Sequence, residues 1–143
     1  MPKQPIDKLF QKLGAPLLNI RWSWGSTTND GKTVFLRVWS DETQKIGDEH
    51  FVQITDTTRF GTEPSLGYSE RLHHIEAIQS GAKCFLIFCN PKKPVTIPRV
   101  LLDYVDDRIF PGGKIILKDG NEWIQFLGGV KIQEHLTRST LPL

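Results

Sequence analysis

Apolar and polar positions alternate most legibly between Ser65 and Lys93, and the rest of the chain is read around that stretch. Tyr68, Leu72, Ile75 and Ile78 recur at spacings of three and four residues, which predicts one apolar face of a helix, and Gly81 follows where a left-handed cap would end it. On this spacing Arg71, His73, Glu76 and Gln79 fall on the solvent side. Cys84, Phe85, Leu86, Ile87, Phe88 and Cys89 then run without a polar break between Gly81 and Pro91. So short an apolar run predicts a strand covered on both faces, and it is taken as the central strand. Its exit, Asn90 to Pro94, carries Lys92 and Lys93 between two prolines.

Upstream, Ile6, Leu9, Phe10 and Leu13 predict a short helix that ends at Gly14 and Pro16 and covers the sheet. Asn19–Gly25 alternates Ile20, Trp22 and Trp24 with polar residues, and Thr33–Trp39 alternates again after a turn-rich loop, which predicts a hairpin. In the second run Phe35, Arg37 and Trp39 share one face while Val34, Leu36 and Val38 share the other. Two readings of the aromatic face stand side by side. It is core under the first helix, or it sets Arg37 between the Phe35 and Trp39 rings as a platform for a base or another flat ligand. Ser40–Glu49 is predicted to be a solvated acidic loop, Phe51–Thr55 a short strand, and Asp56–Gly67 a long irregular connection holding Arg59 and Phe60. Pro98–Val105 fits a helix or a strand. The runs flanking Asp119, Gly120 and Asn121 predict a hairpin, and Val130–Leu136 fits a last strand or a helix.

Composition narrows the class. The chain has 143 residues, 38% hydrophobic and 24% charged, the size and make-up of one folded domain. No stretch reads as a membrane span or a secretory signal, so the expected address is cytoplasmic. Cys84 and Cys89, five apart in one strand, point to opposite faces and are expected to be buried reduced thiols. The formal charge is only +2, but no acid occurs from Ala77 to Leu102, while Lys83, Lys92, Lys93 and Arg99 lie there. Phosphate-loop, dinucleotide and zinc motifs are missing. Asp30 with Lys32, and Asp106 and Asp107 with Lys114, suit polar turns better than a metal-dependent nuclease site. No metal, no cofactor and no catalytic residue is therefore assigned, and catalysis by this chain alone is not expected.

The order hairpin, irregular loop, helix ending in Ile78-Gln79-Ser80-Gly81-Ala82-Lys83, then buried strand resembles the PUA-like superfamily, especially its ASCH and EVE branches. The overlap is chiefly Gly81 and Lys83 with the helix before them. The sequence departs from the ASCH pattern after Lys83, where Cys84–Cys89 is wholly apolar, and an ASCH-type catalytic role is not carried over. The resemblance implies a small β-barrel whose cleft binds RNA or reads modified bases in DNA. It extends to N-terminal reader modules joined to HNH-type nucleases.

These readings together predict a single α+β domain, residues 1–143, with a curved, mainly antiparallel sheet or partial barrel and two or three flanking helices. The expected partner is DNA or RNA and not a membrane, with a fused or associated nuclease as a further partner. Trp24, Arg37, Trp39, Arg59, Phe60, Arg71, Lys92 and Lys93 are the candidate nucleic-acid-binding residues, an aromatic-lined cleft taking a base while Arg59, Arg71, Lys92 and Lys93 hold the backbone. The alternatives are a protein-interaction domain and a small hydrolase acting on a nucleotide-like substrate.

Overall fold

A computed structural model describes residues 5–19, 23–55, 66–91 and 101–140. In chain order the described residues form α1 (Ile6–Lys12), β1 (Gly25–Thr27), β2 (Thr33–Trp39), β3 (Thr43–Ile46), β4 (Glu49–Gln53), α2 (Leu66–Gln79), β5 (Lys83–Pro91), β6 (Leu101–Tyr104), β7 (Arg108–Lys118), β8 (Asn121–Phe126), β9 (Val130–Lys131) and α3 (Ile132–Thr140). The protein is α+β. Among the described residues the sheet is nine-stranded and mostly antiparallel, follows the order β1-β2-β5-β7-β8-β4-β3 and does not close, with β6 beside β5 and β9 beside β7. Among the described residues no helix is long and apolar enough to cross a membrane.

The apolar run Cys84–Cys89 is central, as its pattern predicts. β5 pairs in parallel with β2 from Thr33↔Lys83 to Trp39↔Cys89, and antiparallel with β6 and β7 on its other side. Such a strand has no solvent face, so every position needs an apolar partner. Two cores supply them. Val34, Leu36, Val38, Cys84, Leu86 and Phe88 point into the curve of the sheet, where they meet Val52, Ile54, Ile75 and Ile124. Phe35, Trp39, Ile87 and Cys89 point outward and are covered by Leu9 and Phe10 of α1, by Leu13 just after it, and by Ile132 of α3. Burying one Leu-sized side chain this completely contributes about 1.5–3 kcal/mol, so β5 anchors both layers. The cysteines fall in different cores and are free, as alternation requires.

β7 and β8 form the expected hairpin, with Asp119 and Gly120 both at positive φ in its two-residue turn. β7 is also the strand that bends the sheet. Phe110 and Pro111 pair with β5, Gly112 pairs with Phe126 of β8, and the register with β8 shifts between Gly112 and Ile115. A Cβ at Gly112 would lie 2.9 Å from the Ile124 side chain and 3.2 Å from Cys84 Sγ, so the bend needs a residue without one.

Several expectations are corrected. The first hairpin strand is Gly25–Thr27, paired with Leu36–Val34, not Asn19–Gly25; within the expected run, residues 20–22, Trp22 included, lie outside the described residues. Ser40–Glu49 is not a plain loop, because Thr43–Ile46 pairs with β4 and forms an edge strand. Leu101–Tyr104 is a strand. Val130–Leu136 holds a two-residue strand and then a helix, and that helix continues to Thr140 where no pattern was seen. α2 is turned differently from its apolar spacing: Leu72 is 42% exposed, while Arg71 and His74 are buried beside Ile75.

Candidate functional site

The turned helix places its polar residues against both margins of the unclosed sheet. Arg71 Nη1 donates to the Ile54 carbonyl, just beyond β4, at 3.0 Å. Its Nη2 donates to the Arg37 carbonyl on β2 at 2.7 Å and to the Trp24 carbonyl before β1 at 3.0 Å. One planar guanidinium thus joins carbonyls from the two ends of the strand path, which a lysine could not do with the same geometry. Glu70, next to it, accepts from Ser23 Oγ at 2.9 Å and from the Trp24 backbone N–H at 3.1 Å. Burial raises the Glu70 pKa, offset by those hydrogen bonds and by Arg71. Burial pulls Arg71 down to about 10, with Arg37 pushing the same way, and it stays charged near neutrality. Burial, then Arg71 and His73, push His74 down to about 4, so it sits neutral in this seam.

Trp24, Arg37 and Trp39 do come together. The two indoles lie 4.9 Å apart, and the Arg37 guanidinium is 4.2 Å from the Trp24 ring centre. Arg37 and Trp39 are 8% and 7% exposed, and Arg37 Nη1 donates to the Ser23 carbonyl at 3.3 Å. The aromatic face is therefore core beneath α1. Trp24 is half-buried and its ring already carries a cation. Arg71, assigned to solvent and to a phosphate, is spent on three backbone carbonyls. Arg59, Phe60, Lys92 and Lys93 lie outside the described residues. Cys84 is pushed up to about 12 by burial and Cys89 is pushed up for the same reason, so neither is a ready nucleophile.

A different aromatic group opens at the mouth of the curved sheet, where β5 ends and β7 begins. Phe88 meets Phe110 and Phe126 edge-on at 4.9 and 5.1 Å, and Phe110 meets Phe126 at 6.5 Å. Phe88 is buried, Phe110 and Phe126 are half-buried, and the exposed His50 ring lies 5.8 Å from Phe126. Above them is an open pocket of about 360 Å³ lined by Asp48, Glu49, His50, Phe110, Gln125, Phe126, Leu127 and Gly128. Its polar rim is built: Lys114 Nζ lies 2.7 Å from Glu49 Oε1, and Gln125 Nε2 donates to Glu49 Oε2 at 2.8 Å. No group of His, Cys, Asp and Glu that could hold a metal occurs among the described residues. Local sequence does not point to this mouth: Asp48 and Glu49 fall in an acidic stretch that reads as a solvated loop, and Phe126 in a run that reads only as one side of a hairpin. The signal present was the alternation His50, Val52 against Ile124, Phe126, which puts both rings on the concave face.

No protein-family model, curated protein or solved structure matches this chain.

Proposed function

We propose that this chain is a nucleic-acid recognition module of PUA-like kind that takes an unstacked base into the mouth between His50, Phe110 and Phe126. The carrying observation is that pocket: three rings on one rim, half open to solvent, with enough volume for a flat heterocycle. Ring stacking on a base contributes about 1–3 kcal/mol and tolerates any base, since every base has a π-face. The cations for phosphate are Lys92 and Lys93, which follow Pro91, the last residue of β5, in an acid-free stretch of sequence. Base contact thus passes from Trp24 and Trp39 to the mouth, and Arg37 and Arg71 become structural. Two free cysteines suit a reducing, cytoplasmic setting.

The test is fluorescence anisotropy with single-stranded, duplex and base-modified DNA and RNA over a series of salt concentrations. Affinity should fall steeply with salt, and replacing Lys92 and Lys93 together by Ala should weaken every sequence alike and reduce the salt slope by about 2. Absence of salt-dependent binding to all of these would overturn the reading.

A further inference from the structure

We infer that the mouth takes its base out of a duplex and that Leu127 fills the place in the stack which the base vacates, a step that rests on the mouth being a base site. Four large apolar side chains are exposed among the described residues: Leu18, Leu72, Leu117 and Leu127. Of these Leu127 alone lines the mouth, where it is 50% exposed and follows the Phe126 ring in sequence. Its backbone is held in place. The Leu127 N–H donates to the Pro111 carbonyl at 2.9 Å, and Pro111 pairs with Phe85 of the central strand. Two residues on, a Cβ at Gly129 would lie 3.0 Å from the Phe110 ring, so the backbone there packs against the wall of the mouth. Gly128 between them is exposed and adds no side chain that would hold a ligand away. A segment tied at both ends presents the leucine with little left to order on binding.

A base that leaves a duplex gives up pairing and stacking, and the gap behind it opposes the move. An apolar side chain slid between the neighbouring base pairs restores contact to their faces, and leucine is among the residues that wedge in this way. Only a side chain at the lip of the receiving pocket can reach that gap while the base is inside. Leu127 stands there, and having neither charge nor hydrogen-bonding group it acts on base faces whichever base has left.

The deciding experiment compares the parent with Leu127→Ala on two labelled DNA probes of one sequence, a single strand and a duplex. The duplex carries 2-aminopurine in one central mismatched pair, where extrusion is easiest and where leaving the stack raises the fluorescence. The parent should bind both probes and raise the 2-aminopurine signal. The variant should lose at least about five-fold more affinity on the duplex than on the single strand, which has no gap to fill. Because Leu127 is exposed the variant should fold normally, which a thermal melt checks. Equal losses on the two probes, or duplex binding by the parent without a rise in fluorescence, would overturn the wedge and leave the base site standing. Binding of the single strand alone would do the same, and failure of both probes to bind would remove both readings.

Discussion

The seam under α2 and the mouth at the end of β5 both gather polar and aromatic side chains, yet they differ in what is left over. At the seam Arg71 spends its terminal nitrogens on three carbonyls, Glu70 caps Ser23 and Trp24, and Arg37 covers the Trp24 ring. At the mouth the rings of Phe110, Phe126 and His50 face an open volume, and Glu49 keeps acceptor capacity beyond its two partners. A charge in a protein interior must be solvated by the protein, and one that is so solvated is no longer available to a ligand. The chemistry that looks strongest in sequence, Trp and Arg interleaved, is here consumed by folding. The weaker-looking set is the one left open.

That contrast can be broken most severely at Arg71. Arg71→Met keeps an unbranched apolar stem and removes the guanidinium, taking its N–H donors from the Ile54, Arg37 and Trp24 carbonyls, the last of which keeps the Arg37 backbone N–H. The expected loss is about 3–5 kcal/mol in equilibrium denaturation, the range for dismantling a buried charged network. A loss under about 1 kcal/mol would mean that the sheet margins do not depend on this stitch.

His74 sharpens the same side through pH. Its proton affinity in the folded state is depressed to about 4 from an ordinary 6.5, so between those values the unfolded chain binds more protons. Its contribution is therefore complete above about pH 6.5 and is lost as pH falls toward 4, on the order of 3 kcal/mol in all. Glu70, shifted upward, works in the opposite sense, because its ionised form is the disfavoured one in the fold. The difference between the parent and His74→Gln across this window isolates the histidine. Parallel stability curves for the two would refute the assignment.

The smallest stability effect belongs to the mouth. His50→Ala removes an exposed ring and should change stability by no more than about 0.5 kcal/mol, while oligonucleotide affinity falls roughly five-fold or more through the lost stacking contact. Unchanged affinity would place the base elsewhere.

How much of this was legible without coordinates follows from the range of each interaction. β5, the β7–β8 hairpin and the two faces of β2 were legible, since their signals lie within a few residues: an unbroken apolar run, Asp119-Gly120 between two apolar runs, strict alternation. β3 was hidden because an edge strand of exposed Thr43, Gln44 and Lys45 buries little and resembles a loop. The site was less legible than the fold, as a pocket is a relation among β4, β7 and β8 that no single segment carries.

By itself the sequence determined which segments must be buried, because apolar periodicity is local and the penalty for exposing it is general. The tertiary structure alone decided which charges are buried with them. Arg71 sits one residue before the apolar Leu72, and spacing assigns the arginine to water and the leucine to the core. Carbonyls 17, 34 and 47 residues away in sequence reverse the pair, since together they solvate a guanidinium at the margins of the unclosed sheet.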